Sequence, residues 1–160
     1  MRSYRALLLA SLVALAGACG FQLRGAVQLS PQLTPLYLSD GGPQALRNEI
    51  RANLRGSGVE LSQSRDGAAA VLSIEKASQS RRVLSVDASG RAREYEVRYQ
   101  LRYRVERSGQ PPLVRNIQLS RELLFDPDSV LALGHETRTL YNDMQRDAAR
   151  LLLQQLQALK

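Results

Sequence analysis

The chain has little of what most catalytic and metal sites require. It contains one cysteine, one histidine and no tryptophan in 160 residues. A single cysteine forms no disulfide within the chain, and the sequence offers no Cys/His cluster for a zinc ion. It also lacks a glycine-rich loop that would cradle a phosphate between a strand and a helix. The composition therefore argues against an enzyme, a metal site and a bound cofactor.

The remaining candidates for catalysis have simpler explanations. His135 is the only histidine, and it lies near an expected helix bend, where a surface histidine is ordinary. Asp126 and Asp128 flank Pro127, an arrangement that is typical of the first turn of a helix. We therefore predict no catalytic residues, and a periplasmic hydrolase is a remote alternative.

Residues 1–18 have the pattern of a secretion signal. Two arginines precede the apolar run of residues 6–16, which is shorter than the roughly 20 residues of a membrane-spanning helix. Small residues then lead to Cys19, as in the bacterial lipobox, although Ala16 stands where leucine is usual. A chance cysteine after an ordinary signal peptide is the alternative. An unpaired thiol is a liability in an oxidising compartment, and lipidation removes it. We therefore predict that Cys19 carries N-palmitoyl and S-diacylglycerol groups.

The anchor also predicts a location and a division of the chain. Gly20 follows the cysteine, whereas retention in the inner membrane commonly requires aspartate there. We therefore expect attachment to the periplasmic face of the outer membrane. The expected parts are a signal peptide (1–18), a lipidated tether (19–34) and a single domain (35–160).

The positive charge of the chain is concentrated in one segment. After removal of the signal, 20 basic residues face 15 acidic ones. Residues 76–107 contain nine of these basic residues and only four acids, which accounts for the whole excess. Arginine suits bidentate binding of phosphate or carboxylate, although base composition of the genome also favours it.

An exported, tethered protein does not meet the chromosome, so nucleic acid is excluded as the partner of this segment. The abundant anion of the compartment is lipopolysaccharide, which carries phosphates. Four arginines near an expected hairpin tip are candidates for binding it: Arg81, Arg82, Arg91 and Arg93. A solvated loop whose charge serves only solubility is the competing interpretation.

Alternation of apolar and polar residues predicts the sheet. It is strict over residues 94–106, which indicates a long strand with one buried face, and shorter versions occur at residues 68–80 and 113–123. Turn residues separate these segments, so the strands should pair antiparallel in sequence. Residues 36–38 form a fourth, short strand.

Two helices are expected to cover the apolar side of this sheet. The first begins at Pro43 and ends at Gly56. The second begins at Asp126, is broken or bent at Gly134, and continues from Glu136 to the end of the chain. Its apolar stripe would pack on the sheet or, alternatively, enter a coiled coil. The predicted fold is α+β: a two-layer sandwich in the order β-α-β-β-β-α, with two helices on one face of a four-stranded, mostly antiparallel sheet.

Several segments resemble one family. Residues 19–25, Cys-Gly-Phe-Gln-Leu-Arg-Gly, look like the mature start of the LPS-assembly lipoprotein family, LptE. Residues 57–61, Glu94-Tyr95 and Phe125-Asp126 match that family in the same order along the chain. The resemblance implies two helices on a four-stranded sheet and no enzymatic activity. It also implies assistance to the assembly of a β-barrel, LptD, which the lipoprotein plugs in a 1:1 complex, and binding of lipopolysaccharide.

A plug in a polar barrel lumen needs a polar surface. The expected strand at residues 94–106 provides one on the side away from the helices, and its arginines Arg98, Arg102 and Arg104 are our candidates for barrel contact. An auxiliary lipoprotein of a lipid-transporting ABC system, which shares size, anchor and α+β character, is the alternative function.

Overall fold

The computed structural model describes residues 29–125 and 130–159, without the side chains of residues 130–132. The strands are β1 (Leu36–Leu38), β2 (Ala70–Val86), β3 (Ala92–Arg107) and β4 (Leu113–Leu124), and the helices are α1 (Gln44–Gly56) and α2 (Val130–Gln157). The sheet has the order β1-β2-β3-β4; β1 lies parallel to β2, and the other neighbours are antiparallel. The predicted α+β fold is therefore confirmed.

The core lies between the sheet and the two helices. Alternate side chains of β3, from Val97 to Val105, are almost completely buried. Above them lie Leu46, Ile50 and Leu54 of α1 and Met144, Ala148, Leu152 and Leu156 of α2. The stripe of α2 thus packs on the sheet of its own chain, as expected from the need of an amphipathic sheet for a cover.

Strand β2 contains one residue more than a regular ladder allows. Ile74 pairs with Tyr103 and Lys76 pairs with Arg102, so Glu75 is the extra residue of a β-bulge. Before the bulge the even-numbered residues of β2 face the helices, and beyond it, up to residue 83, the odd-numbered residues do. The bulge therefore reverses the relation between sequence position and sheet face.

Two expected limits are wrong. Strand β2 was expected to end at residue 80, but it continues to Val86; its last residues do not alternate regularly, because the register shifts again between Val83 and Ser85. The helix at the end of the chain continues through Gly134 without a break. A single glycine costs a helix only about 1 kcal/mol, which the packing of the remaining turns offsets.

The folded part also begins earlier than expected. Residues Pro31–Leu33 form a 3-10 turn in which Leu33 is completely buried. Beside it, Gln110 Nε2 donates a hydrogen bond to Gln32 Oε1 at 3.2 Å, next to the turn between β3 and β4. The expected tether of residues 19–34 is therefore too long at its C-terminal end. The predicted signal peptide, Cys19 and the expected helix cap at 126–128 lie outside the described residues.

Candidate functional site

The side of the sheet away from the helices is covered with charged side chains, and we call it the charged sheet face (Glu75, Arg82, Glu96, Arg98, Arg102 and Arg104). Glu75, the bulge residue, binds two of the arginines. Its Oε1 accepts a hydrogen bond from Arg104 Nε at 2.6 Å, and its Oε2 lies 2.8 Å from Arg102 Nε. The hydrogen bond from Arg104 holds the pKa of this carboxyl below its usual value.

Glu96 is the second centre of the charged sheet face. Ser120 Oγ donates a hydrogen bond to its Oε1 at 2.7 Å, and its Oε2 is bound by Arg82 and by Arg98 Nη2, the latter at 2.7 Å. The hydrogen bond from Ser120, followed by that from Arg82, lowers the pKa of Glu96 from 4.5 to about 2. The carboxylate therefore links three strands, because Arg82, Glu96 and Ser120 belong to β2, β3 and β4.

The three candidates for barrel contact share this face. Arg98, Arg102 and Arg104 are each tied to a carboxylate of a neighbouring or the same strand. Exposed ion pairs stabilise a fold by only about 0–1 kcal/mol. Their main effect here is to fix the positions of four guanidinium groups around two carboxylates, which leaves an excess of positive charge on this face.

The second feature is at one end of the sheet, where β2 turns into β3; we call residues 81–93, with Leu124 and Phe125, the hairpin end. All the large apolar side chains that are strongly exposed among the described residues lie here: Val83, Leu84, Val86 and Leu124. Leu124 pairs in register with Glu94 at the end of β4 and is 75% exposed. The hairpin end therefore combines apolar side chains with arginines.

The tip of the hairpin is organised by Asp87. Its Oδ1 accepts hydrogen bonds from the backbone N–H groups of Ser89 and Arg91, both at 2.9 Å. Its Oδ2 lies 3.0 Å from Arg91 Nε. The backbone hydrogen bond from Arg91 is the main reason that the pKa of Asp87 is lowered. Arg91 is thus held beside an acid rather than projecting freely.

The other predicted arginines of the hairpin end do not form one cluster. Arg81 lies on the helix side of β2, where its guanidinium carbon is 4.6 Å from the centre of the Tyr95 ring and its Nη1 donates to Thr137 Oγ1 at 3.3 Å. Arg82 points to the opposite side and pairs with Glu96. Arg93 is exposed and forms no ion pair among the described residues.

The exposed apolar residues of the hairpin end were not identified from the sequence. A usable signal exists, because β-strand side chains alternate between faces and consecutive apolar residues cannot all enter the core. Val83 with Leu84, and Leu123 with Leu124 and Phe125, are such runs. In the first run both side chains are exposed, and in the second Leu124 is.

The described part of the chain offers little for other chemistry. Over residues 29–125 and 130–159, no group of three His, Cys, Asp or Glu residues is placed to hold a metal ion. The helices within those same ranges are too short or too polar to cross a membrane. His135 is exposed, as expected.

The sequence is similar to those of known lipoproteins. A sequence model of the LptE family, described as lipopolysaccharide-assembly, matches residues 33–156. The LPS-assembly lipoprotein LptE of Photorhabdus laumondii is 26% identical over 151 residues, which cover 94% of this chain and 83% of that protein. The protein of the same name from Pectobacterium atrosepticum is 28% identical over 153 residues, with the same coverage of both chains.

Solved structures show the same fold. The crystal structure of the rare lipoprotein B from Shewanella oneidensis has a TM-score of 0.69 and 28% identity, and covers 77% of this chain and 92% of its own. The solution structure of a lipoprotein B from Nitrosomonas europaea has a TM-score of 0.70 and 29% identity, and covers 87% of this chain and 91% of its own. Since the family match extends from the 3-10 turn to the last turns of α2, the chain belongs to the LptE family of lipopolysaccharide-assembly lipoproteins.

Proposed function

We propose that this protein is anchored through Cys19 to the periplasmic face of the outer membrane, where it plugs an LptD β-barrel in a 1:1 complex, assists the barrel's assembly and binds lipopolysaccharide. The charged sheet face is the observation that supports this most strongly. Barrel lumens are polar, and this face offers them guanidinium groups held in place by Glu75 and Glu96.

The length of the sheet supports a plug role as well. Strand β3 has 16 residues, which at about 3.3 Å per residue is roughly 50 Å. A bilayer with its headgroups is about 40–45 Å thick. The chain leaves the sheet beside the β3–β4 turn, where Gln32 binds Gln110, so an anchored tether would place the hairpin end at the far side of the barrel.

The hairpin end suits the proposed lipid. Lipopolysaccharide is an amphiphile with phosphates and acyl chains. Arg91 and Arg93 lie in the same region as the exposed side chains of Val83, Val86 and Leu124. Guanidinium groups bind phosphate through charge-assisted hydrogen bonds, and exposed apolar patches commonly mark binding sites. Both halves of the amphiphile therefore have complementary groups at one end of the sheet.

Purification of the tagged protein from outer membranes tests the proposal. We expect an LptD-type barrel to be recovered in equal amount, and an unrelated lipoprotein with the same tag to recover none. Recovery of the subunits of an ABC transport system, without a barrel, would contradict the proposal and favour an auxiliary role in such a system. Binding of lipopolysaccharide by the purified protein is measured separately, because barrel contact and lipid binding are independent parts of the proposal.

A further inference from the structure

Helix α1 carries a row of arginines on the surface away from the hairpin end. Arg47, Arg51 and Arg55 follow one another at intervals of four residues, which places them on one side of the helix. Arg47 Nη1 donates to the carbonyl oxygen of Gly42, and Arg51 Nη1 donates to Asn48 Oδ1 at 3.4 Å. None of the three forms an ion pair with a carboxylate of the described residues.

The absence of carboxylate partners among the described residues distinguishes the row from the charged sheet face. There, Arg82, Arg98, Arg102 and Arg104 are each paired with Glu75 or Glu96. A guanidinium without a carboxylate retains its full charge and its fork of donors for an external anion. The positive charge of α1 is therefore more available to an external anion than that of the arginines of the charged sheet face.

The C-terminal half of the row borders a cavity of about 410 Å³, which we call the α1 cleft. Arg51 and Arg55 form one wall, β1 contributes Tyr37, and the loop after α1 contributes Ser62 and Gln63. Asp40 also lines the cavity but forms no ion pair with either arginine, at least among the described residues. Two guanidinium groups, a phenol, a hydroxyl and an amide thus share the lining with one carboxylate and two leucines, around a space large enough for a phosphorylated group.

We infer that the α1 cleft binds a phosphate group, held by Arg51 and Arg55 and contacted by the polar side chains of β1 and the following loop. Both guanidiniums supply paired donors that match the geometry of phosphate oxygens. The cleft lies at the same end of the sheet as the start of the described chain, since Leu36 of β1 pairs with Ala70 at the beginning of β2. This inference goes beyond the proposed function and does not depend on lipopolysaccharide binding at the hairpin end.

The test is a calorimetric titration of the full chain in non-ionic detergent with two probes. The first is inorganic phosphate, and the second is the same detergent containing phosphatidylglycerol, whose headgroup has a single phosphodiester. We expect saturable binding of at least one probe. Arg51→Gln combined with Arg55→Gln should weaken it on the order of tenfold or more, because two charge-assisted contacts are removed. Binding of the lipid alone assigns the cleft to a headgroup, and binding of both assigns it to phosphate in general.

The control removes the same charge elsewhere. Arg115→Gln combined with Arg138→Gln changes two exposed arginines that likewise form no ion pair within the described part of the chain. This variant should bind like the original protein, and unchanged circular dichroism confirms the fold of both variants. Equal weakening in both variants, or no saturable binding of either probe, overturns the inference. Lipopolysaccharide binding measured on the same samples shows separately whether the hairpin end is intact.

Discussion

Arg91 and Arg93 are two residues apart in the sequence but have different surroundings. Arg91 is bound to Asp87, whereas Arg93 is exposed and without an ion pair among the described residues. A guanidinium already paired with a carboxylate gains less from a phosphate, because the existing charge-assisted contact must be exchanged. At the scale of single residues, the structure thus assigns unequal weight to arginines that the sequence presents as equivalent.

The proposed lipid site predicts the effect of reversing these charges. Arg91→Glu with Arg93→Glu should weaken lipopolysaccharide binding on the order of tenfold, with Arg93→Glu alone accounting for most of the loss. Binding to immobilised lipopolysaccharide measures this, and the thermal unfolding temperature shows that the fold is kept. Arg65→Glu with Arg150→Glu makes the same change in net charge away from the hairpin end and should bind normally. Equal losses in both double variants would reject the site.

Two buried tyrosines differ in a single hydrogen bond. Burial raises the pKa of both Tyr99 and Tyr103 to about 12. The hydroxyl of Tyr103 donates to Gln155 Oε1 at 2.6 Å, whereas that of Tyr99 has no hydrogen-bond partner among the described residues. An unpaired buried hydroxyl costs free energy, and a paired one does not.

Replacement by phenylalanine should therefore have opposite consequences at these positions. Tyr103→Phe should lower the free energy of unfolding by about 1 kcal/mol, because α2 loses a hydrogen bond to the sheet. Tyr99→Phe should leave it unchanged or raise it. Urea unfolding of both variants measures the difference, and each serves as the control for the other. A greater loss for Tyr99→Phe would show that its hydroxyl has a partner in solution.

At the scale of elements, strands with regular alternation of apolar and polar residues are predicted from the sequence, whereas a bulge that interrupts the alternation is not. The alternation of residues 94–106 is complete, and β3 has the predicted buried face. In β2 the bulge at Glu75 and a second register shift between Val83 and Ser85 interrupt the alternation, and residues 81–86 were assigned to the hairpin tip instead of the strand. Such a bulge depends on pairing with β3, which is a long-range contact, and the local pattern of β2 does not contain it.

The carboxylate that links three strands makes stability depend on pH. The pKa of Glu96 is about 2 in the folded protein and 4.5 in the absence of its partners. Its stabilising effect is therefore complete above pH 4.5 and is lost as the pH falls towards 2. Glu96→Gln should unfold at lower urea concentration than the original protein at about pH 6, and the difference should shrink below pH 4.5 and vanish only as the pH falls below about 2.

A suitable comparison is Glu60→Gln, which changes an exposed glutamate with no ion pair within the described residues. Its unfolding midpoint should follow that of the original protein over the same pH range. A difference between Glu96→Gln and the original protein that persists at the acid end would mean that the contacts to Ser120 and Arg82 do not require the charged form.

At the scale of the whole molecule, the sequence predicted which side of the sheet carries the arginines of β3 but not how they are paired. The arginines of β3 were placed on the polar side of the sheet, and the structure confirms this. Their pairing with Glu75 and Glu96 could not be predicted from the sequence, because it depends on how β2 and β4 align with β3. The open cavity beside Arg51 and Arg55 was missed for the same reason, since it forms between segments that are separate in the sequence.

The plug role predicts an asymmetric effect of charge reversal on the charged sheet face. Arg98→Glu with Arg102→Glu should reduce recovery of the barrel more than binding of lipopolysaccharide, because these residues lie along β3 rather than at the hairpin end. Co-purification with the barrel and lipid binding are measured on the same preparations. Arg146→Glu with Arg150→Glu, on the exposed side of α2, is the matched control. A larger effect on lipid binding than on barrel recovery would count against a plug that uses this face.

Glu75 is a residue whose deletion would change only one face of the sheet. Loss of one residue from a regular strand turns all later side chains to the opposite face. Loss of Glu75 instead restores a regular strand, so Ala77 and the residues after it keep their positions above the core. Only the carboxylate between Arg102 and Arg104 disappears. Deletion of a single codon could therefore change the charge of the outer surface during evolution and leave the residues of the core in place.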